Sequence, residues 1–429
     1  MSLVQGPDGN YYGTTSRGGR TDSGTVFRMA PGGHITVIYN FCLQPNCTDG
    51  DFPFAGLVLA PDGNFYGMTA YGGDNNKGMI YKVTTGGTLT VLHSFNTTDG
   101  ATPESTLFLG GDGALYGTTV AGGANNYGTV FRFTLSGTLM TMYSFCAKSN
   151  CTDGSYPIAG VVQGNDGNFY GTTGGSDSLV GTAYKLTPSG SLTVLHTFCN
   201  VLGFYCSEGA YPYGSLVQAQ DGSFYGATYY GGSIGFGTLY RVTPSGSFTT
   251  LQRFNNTDGG FPIAPMILAT DGNFYGTTEV GGLTSSGTIY RLTPEGTLVS
   301  LYSMFCETDS CPDGADPYGG LLQSTDGSLY GTDFTQGPAG GGVAFNFTTG
   351  LAPFVKTVPT SGKVGTNVII LGNHLTGATA VTFNNIPARF KVVSEAQIQA
   401  VVPSGATTGA VQVTTPGGVL TSNQPFRVP

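Results

Sequence analysis

The chain contains no tryptophan, only four histidines and few charged residues, which make up 10% of its 429 positions. Lys and Arg number 16 against 25 Asp and Glu, so the net charge at pH 7 is -9. A protein that binds nucleic acid by neutralising phosphates needs clustered cations, and we therefore exclude nucleic acid as a partner. No apolar run is long enough to cross a bilayer, so we expect no membrane span.

Isolated cysteines are also lacking, because all eight cysteines occur in four close pairs. Such local pairing predicts the disulfides Cys42–Cys47, Cys146–Cys151, Cys199–Cys206 and Cys306–Cys311. Disulfides form in oxidising compartments, so the pairs indicate an extracellular or cell-surface protein. No export signal is visible before the first repeat. We expect that one has been removed, and whether a longer N-terminal segment is missing stays open.

Glycine is abundant, at 71 copies, and much of it belongs to a repeated hexapeptide, D-G-x-x-Y-G. The motif begins at seven positions, which are Asp8, Asp62, Asp112, Asp166, Asp221, Asp271 and Asp326. Each unit of 50 to 55 residues contains four short strand patterns separated by turn residues, without helical periodicity. Units of this kind are typical of propeller blades. The sequence therefore predicts an all-β fold in which residues 1–352 form a seven-bladed β-propeller with four-stranded blades.

The loops predict which face of the propeller carries function. The turns of D-G-N and T-P-S-G type are nearly invariant between units, whereas the Gly-rich loops and disulfide links on the opposite face vary. From each link a D-G-x-x-P segment leads into the innermost strand, where a mostly aromatic ring is suited to a glycan or protein ligand. We predict ligand contacts from Phe52, Phe54, Glu104, Tyr156, Tyr211, Tyr213, Tyr229, Phe261, Asp316 and Tyr318. The alternative is that these side chains only lock each loop onto the blade below.

A catalytic residue should stand where the repeat pattern is not followed, since a residue that recurs in every unit is explained by its role in the fold of the unit. His93 and His196 share one fourth-strand position and are predicted to be structural, and a recurring third-strand cation such as Arg132 is predicted to pair between blades. The carboxylates outside the pattern are Asp22, Asp51, Asp74, Glu104, Asp177, Glu279, Asp316 and Asp333. A pair of them would suit a polysaccharide hydrolase or lyase, which stays open as an alternative.

We nevertheless predict no catalytic residue, cofactor or metal site, because no nucleophile–histidine or metal-ligand spacing accompanies these carboxylates. The segment Asp74-Asn75-Asn76 offers oxygen ligands that suit calcium, but it lacks the spacing of a known calcium loop. The residue types in this segment would allow calcium binding, but their spacing does not support it.

Residues 353–429 form a second unit with a different pattern. At least five short strand patterns with Gly and Pro turns predict a compact immunoglobulin-like β-sandwich. The stretch resembles the IPT/TIG family in P-x-S-G-x-x-G-T from Pro359, in L-T-G-A-T-A-V-T-F-N from Leu375 and in V-P-S-G-A-T-T-G from Val402. In secreted bacterial proteins this resemblance implies a spacer or an adhesive module.

The seven units resemble the GloVer-type tandem repeat of bacterial extracellular proteins, in cores such as Gly24-Thr25-Val26-Phe27 with Y-G-T-T and T-P-S-G around them. The resemblance covers residues 2 to about 352 and implies no activity. In the seventh unit, Gly342 to Asn346 lacks the usual cation and only residues 351–358 remain for a fourth strand. How the propeller ring closes is therefore not predicted.

These observations favour a secreted or cell-surface binding or adhesion module whose ligand is a glycan or a protein at the loop-rich face. An alternative is a structural subunit of an extracellular assembly, which would self-associate. Ligand identity and oligomeric state stay open on the sequence alone.

Overall fold

The computed structural model describes residues 2–175, 180–199, 206–306, 311–335 and 341–429. These residues form an all-β protein built from antiparallel sheets. Two short 3-10 helices, at Pro45–Cys47 and Ser149–Cys151, lie inside disulfide links. No helix in the described ranges is long and apolar enough to cross a membrane.

The first three units each form one four-stranded sheet. Sheet 1 contains β1 (Val4–Gln5), β2 (Tyr11–Thr15), β3 (Thr25–Met29) and β4 (Ile35–Asn40). Sheet 2 contains β5 (Val58–Leu59), β6 (Phe65–Thr69), β7 (Met79–Val83) and β8 (Leu89–Ser94). Sheet 3 contains β9 (Phe108–Leu109), β10 (Leu115–Thr119), β11 (Thr129–Phe133) and β12 (Leu139–Ser144).

The next three units repeat this arrangement. Sheet 4 contains β13 (Val162–Gln163), β14 (Phe169–Thr173), β15 (Thr182–Leu186) and β16 (Leu192–Thr197). Sheet 5 contains β17 (Val217–Gln218), β18 (Phe224–Thr228), β19 (Thr238–Val242) and β20 (Phe248–Arg253). Sheet 6 contains β21 (Ile267–Leu268), β22 (Phe274–Thr278), β23 (Thr288–Leu292) and β24 (Leu298–Ser303).

The seventh unit differs from the expected four strands. Among the described residues, sheet 7 contains only β25 (Leu322–Gln323), β26 (Leu329–Thr332) and β27 (Ala344–Phe347). After β27 the chain turns back toward the tail, and the backbone N–H of Phe354 donates to the carbonyl oxygen of Thr325. The segment left for a fourth strand instead supplies β28 (Lys356–Val358), which pairs with the tail.

The repeated hexapeptide is a turn anchored by its own side chains. In sheet 2, Asp62 Oδ1 accepts a hydrogen bond from the backbone N–H of Asn64, and Oδ2 accepts one from the Tyr66 hydroxyl at 2.9 Å. Gly63 lies between them with φ of +79°, a conformation that favours glycine. Local hydrogen bonds thus explain why aspartate, glycine and tyrosine recur together.

The third-strand cation contacts the same turn. Arg132 donates to Asp112 at 2.6 Å, and Arg241 lies 3.2 Å from Asp221. In both cases the aspartate begins the hexapeptide of the same sheet. The expectation that these cations pair between blades is therefore wrong for these two, because the antiparallel register of the second and third strands places the cation beside its own turn.

Neighbouring sheets pack through the tyrosine of this motif. The ring of Tyr12 lies 4.2 Å from that of Phe65 in the next sheet, and Tyr170 lies 3.9 Å from Phe224. Between sheets 7 and 1, Tyr330 stacks on Tyr11 with ring centroids 4.3 Å apart. The first and last sheets of the repeat are therefore neighbours.

The tail consists of two further antiparallel sheets. One contains β28, β29 (Asn367–Leu371), β33 (Gln397–Val401) and β32 (Arg389–Ser394). The other contains β31 (Ile386–Pro387), β30 (Ala380–Phe383), β34 (Val411–Thr415) and β35 (Gly418–Thr421). Their shared core includes the fully buried side chains of Ile370, Ile398 and Val413.

The tail packs against the hexapeptide turns of the repeat region. The Ser361 hydroxyl donates to the carbonyl oxygen of Gly111 at 2.9 Å, and the Arg427 guanidinium donates to that of Gly164 at 3.2 Å. Ile369 and Leu371 belong to the same hydrophobic cluster as Val4 in sheet 1. The tail thus occupies the face that carries the short turns.

Candidate functional site

A cavity of about 610 Å³ lies among the innermost segments of the repeat region. Its wall includes the residue that follows the proline in each D-G-x-x-P segment. These residues are Phe54, Glu104, Ile158, Tyr213, Ile263 and Tyr318. Small neighbours such as Ser105, Ala159 and Ser215 complete the wall. The cavity continues outward between sheets 7 and 1, where Phe27, Asp333 and Ala344 line it.

The residue before each proline bridges two sheets. The backbone N–H of Phe52 donates to Ser23 in sheet 1, and its carbonyl oxygen accepts from Ala70 in sheet 2. Equivalent bonds form at Thr102, Tyr156, Tyr211, Phe261 and Asp316. All six of these residues have φ between 51 and 58°. The main chain is thereby held by both sheets. Of the two residues that flank the proline, the one after it lines the cavity and the one before it does not.

The ten residues predicted to contact a ligand therefore fall into two groups. Phe54, Glu104, Tyr213 and Tyr318 line the cavity. The remaining six lie in the bridging positions and in the loop that follows β18: Phe52, Tyr156, Tyr211, Phe261, Asp316 and Tyr229. The isoleucines at 158 and 263, which also line the cavity, were not predicted, because an aliphatic side chain lacks the ring or charge that indicates a ligand contact. Their alignment with Phe54 after the proline would have identified them.

Six aromatic side chains from sheets 5 and 6 contact one another beside the cavity. They are Tyr211, Tyr213, Tyr229, Tyr230, Phe236 and Phe261, and we call them the aromatic cluster. Tyr229 stacks on Phe261 with centroids 5.1 Å apart and lies 5.6 Å from Tyr213. Since Tyr213 also lines the cavity, the cluster and the cavity are continuous.

A carboxylate fixes the centre of this cluster. The Tyr229 hydroxyl donates to Glu279 Oε2 at 2.6 Å. Burial, followed by this hydrogen bond, raises the pKa of Tyr229 well above its ordinary range. Burial likewise raises the pKa of Tyr213 and of Tyr318 to about 12. The phenols of Tyr213 and Tyr318 therefore stay neutral near pH 7 and can donate hydrogen bonds to a ligand.

Asp333 departs from the repeat at a buried position. The second strands of the other sheets end in Y-G-x-T, but sheet 7 has Y-G-T-D. In sheet 3 the corresponding Thr119 shares a hydrogen bond with Thr129. Asp333 is 8% exposed, and neither carboxyl oxygen has a hydrogen-bond partner among the described residues. Burial, with smaller effects from nearby Asp316 and Asp313, raises its pKa to about 8.

Of the carboxylates outside the repeat pattern that the structure describes, two line the cavity, Glu104 and Asp333. Burial raises the pKa of Glu104 as well. Asp316 accepts a hydrogen bond from Thr335, while Asp22 accepts one from the N–H of Gly18. Asp51 forms an antiparallel bridge with Tyr71, and Asp74 is exposed. Asp177 lies outside the described residues.

The asparagine side chains considered as calcium ligands form hydrogen bonds within the protein. Asn76 Oδ1 accepts from the N–H of Gly72, and Asn75 Nδ2 donates to the carbonyl oxygen of Phe95. Within the described ranges, no group of three or more His, Cys, Asp or Glu side chains could hold a metal ion. His93 bonds to Asp99 at 2.9 Å, and His196 lies 3.2 Å from Glu208, so both histidines contact their own link.

The disulfide links border this face. All four expected disulfides are present, at Cys42–Cys47, Cys146–Cys151, Cys199–Cys206 and Cys306–Cys311. The backbone N–H of Gly73 donates to the carbonyl oxygen of Cys47, and that of Gly232 donates to Cys206. The Gly-rich loops and the links therefore lie on the same face, opposite the tail.

Two protein-family models together match residues 1–428 of the chain. A model of the Gloeobacter/Verrucomicrobia repeat matches residues 1–207 and 201–380. A model of the IPT/TIG domain matches residues 353–428. No curated protein matches the chain.

Solved structures with a similar fold come from other proteins. The crystal structure of a puromycin hydrolase has a TM-score of 0.54 at 14% identity, over 87% of this chain and 59% of that one. The present chain thus spans 59% of the hydrolase structure, and at this identity the likeness shows the fold alone. A putative 6-phosphogluconolactonase from Bacteroides uniformis ATCC 8492 has a TM-score of 0.46 at 16% identity, over 79% of this chain and 95% of that one.

Proposed function

Because the chain belongs to the Gloeobacter/Verrucomicrobia repeat family and carries an IPT/TIG domain, we propose that it is an extracellular binding module. Its ligand is a glycan that enters the cavity from the face with the disulfide links. The observation that carries this proposal is the continuity of the aromatic cluster with the cavity through Tyr213. Aromatic rings offer flat apolar surfaces to sugar rings, and the neutral phenols donate hydrogen bonds to sugar hydroxyls.

The proposed architecture assigns each part a role. Residues 1–352 are a seven-bladed β-propeller whose innermost segments build the site, and residues 353–429 are an immunoglobulin-like sandwich that covers the opposite face. The packing of Tyr330 on Tyr11 supports a closed ring. Four disulfides support an oxidising, extracellular location.

A glycan array and titration calorimetry test this proposal. We expect the wild type to bind a defined class of oligosaccharide, and Tyr213→Ala or Tyr318→Ala to weaken binding by about tenfold or more, since each stacked ring contributes about 1 kcal/mol beyond its buried area. Phe305→Ala is the matched control, because Phe305 is also exposed but does not line the cavity. Binding of a protein and no glycan in pull-downs would overturn the assignment of ligand class.

A second candidate function is acid–base cleavage of a polysaccharide. It is favoured by one observation, the presence of Glu104 and Asp333 on the wall of one cavity, both with raised pKa. A carboxyl group that stays protonated near neutral pH can act as a general acid, while a second carboxylate acts as base. Release of reducing or unsaturated ends that is lost in both Glu104→Gln and Asp333→Asn would establish it. Equal product release by wild type and both variants would eliminate it.

A further inference from the structure

Glu104 is the one charged side chain among the six residues that follow the prolines and line the cavity. We call these six residues the inner ring. Phe54, in the segment that leads into sheet 2, and Ile158, in the segment that leads into sheet 4, take the same position on either side of Glu104. The other three members are Tyr213, Ile263 and Tyr318. A single carboxylate thus lies in a ring of apolar and aromatic side chains.

The main chain on both sides of Glu104 is held in place. Thr102 bridges sheets 2 and 3 through its N–H and its carbonyl oxygen, and Pro103 restricts the backbone that follows. After Glu104, the buried hydroxyl of Ser105 accepts a hydrogen bond from Thr118 Oγ1 at 2.9 Å. The backbone that carries the carboxylate is therefore ordered before a ligand binds, which lowers the entropic cost of binding.

The carboxylate of Glu104 has no partner within the part of the chain that the structure describes. It takes part in no hydrogen bond and no ion pair there, and burial raises its pKa. Other carboxylates near the cavity are bonded, since Glu279 accepts from Tyr229 and Asp316 accepts from Thr335. Partial burial of an unpaired carboxylate costs free energy. Glu104 therefore brings the fold a cost that a ligand can offset.

The protein itself does not supply a cation for this carboxylate. Among the described residues that line the cavity, Arg17 is the one cation. Its guanidinium lies over the ring of Phe52, 5.6 Å from the centroid, and 3.9 Å from the carboxylate of Asp22. The whole chain also has a net charge of -9. A positive charge that compensates Glu104 has to come from the ligand.

An ammonium group is the ligand group that fits this environment. It forms charge-assisted hydrogen bonds with a carboxylate, which are about twice as strong as bonds between neutral groups. Aromatic rings, which make up half of the inner ring, also attract cations to their faces. A neutral hydroxyl leaves the charge of Glu104 uncompensated, and an anionic group is repelled by it.

We propose that Glu104 binds the ammonium group of an amino sugar, so that the glycan recognised in the cavity is one with free amines. This inference rests on the proposed function and narrows its ligand to a cationic glycan. The aromatic members of the inner ring contact the sugar rings, while Glu104 selects units whose amine is not acetylated. In this role Glu104 transfers no proton, which separates it from acid–base cleavage.

Three β-1,4-linked tetrasaccharides of equal length test the inference by titration calorimetry with the intact protein. They are built from glucosamine, from N-acetylglucosamine and from glucose, and the measurement is made at about pH 6, where an amine keeps its proton. We expect the wild type to bind the glucosamine tetramer about tenfold or more tightly than the other two, because that tetramer alone forms a charge-assisted bond with Glu104.

Two variants and a control assign this preference to Glu104. Glu104→Gln removes the charge at nearly constant size and should make the three affinities about equal, whereas Glu104→Asp keeps the charge and should retain part of the preference. Glu295→Gln is the matched control, because Glu295 is exposed in the turn before β24 and does not line the cavity. Thermal unfolding checks that each variant is folded.

The outcomes separate this inference from the proposed function. Equal affinities of the wild type for the three tetramers, unchanged in Glu104→Gln, would overturn the inference and leave glycan binding intact. A preference for glucosamine that persists in Glu104→Gln would overturn it as well. If no glycan of any charge binds, both proposals are wrong. Binding of a lysine-rich peptide that is lost in Glu104→Gln would then assign the amine to a protein ligand.

Discussion

Gln5 Nε2 donates a hydrogen bond to Thr325 Oγ1 at 2.9 Å, joining residues that are 320 positions apart. The backbone N–H of Thr325 donates in return to Gln5 Oε1. Gln323 makes the same pair of bonds to Thr270 between sheets 6 and 7. The contact between the last and first sheets thus repeats a contact found inside the repeat region.

Replacing Gln5, between sheets 7 and 1, should lower the free energy of unfolding as much as replacing Gln323, between sheets 6 and 7. Gln5→Ala leaves the buried N–H of Thr325 without its partner, which costs about 1–3 kcal/mol. Gln323→Ala should cost a similar amount, whereas Gln44→Ala alters an exposed link residue and should change little. Urea unfolding measures all three. A neutral Gln5→Ala alongside a destabilising Gln323→Ala would mean that the junction between sheets 7 and 1 contributes nothing.

Two buried tyrosines should respond in opposite ways to loss of the hydroxyl. Within the described ranges the buried hydroxyl of Tyr184 has no hydrogen-bond partner, and sheet 3 has Phe131 at the same position. Tyr184→Phe should therefore be neutral or stabilising by up to about 1 kcal/mol. Tyr170→Phe removes a 2.7 Å bond to Asp166 and should destabilise by about 1 kcal/mol. Thermal unfolding distinguishes them, and a similar loss in both would contradict the assignment.

The aspartate of a link should matter more than its disulfide. Asp153 accepts hydrogen bonds from the Tyr143 hydroxyl and from two backbone N–H groups of the loop. Asp153→Ala should cost about 3 kcal/mol, since three donors lose their acceptor. Replacement of Cys146 and Cys151 by serine opens a small ring and should cost at most about 2 kcal/mol.

The links without cysteine supply the comparison for this prediction. Asp99 accepts from His93 and from the N–H of Asn96 in such a link, so the same arrangement forms without a disulfide. Guanidinium unfolding of wild type, Asp153→Ala and the cysteine double variant, under oxidising and reducing conditions, measures the loss of the aspartate and the loss of the disulfide separately. A cysteine double variant less stable than Asp153→Ala would contradict the ranking.

Asp333 should make stability depend on pH. An ordinary aspartate loses its proton near pH 4, whereas burial raises the pKa of Asp333 to about 8. Between these values the folded state keeps a proton that the unfolded state releases, so the free energy of unfolding falls as the pH rises from about 4 to about 8.

Asp333→Asn removes that dependence. The variant should be more stable than the wild type by at least about 2 kcal/mol at pH 9, where the wild type holds an unpaired buried charge, and nearly equal to it at pH 4. Asp74→Asn, at an exposed position, should follow the wild type throughout. If the free energies of unfolding of wild type and Asp333→Asn differ by the same amount at every pH from 4 to 9, Asp333 ionises like an ordinary aspartate and the prediction is wrong.

The sequence predicted the parts of the fold that depend on local contacts. The hexapeptide turns and the cysteine pairs involve residues only a few positions apart, so their spacing identifies them. That no fourth strand follows β27 among the described residues depends on where the chain goes next. Phe354 bonds to Thr325 and draws the segment toward the tail, a contact that no local pattern encodes.

The candidate site was harder to predict for a different reason. Residues before and after a proline can look alike, as Phe52 and Phe54 or Tyr211 and Tyr213 do. The positive φ and bridging hydrogen bonds of the first residue decide which of the two lines the cavity. Asp333 stood out as a carboxylate outside the repeat, but its burial depends on packing between sheets and is invisible in the sequence.

Among the described residues, five of the links that border the cavity close around an aspartate of their own, whereas the link after sheet 4 carries Glu208 at that position. Asp49 binds the N–H groups of Leu43 and Gln44, just as Asp99 binds that of Asn96. The backbone of a link is therefore held by its own aspartate, together with one hydrogen bond from the fourth strand, such as that from the Tyr39 hydroxyl. Whole links can be exchanged between positions, or replaced by randomised ones that keep the aspartate, which makes this face a scaffold for selecting new binding specificities.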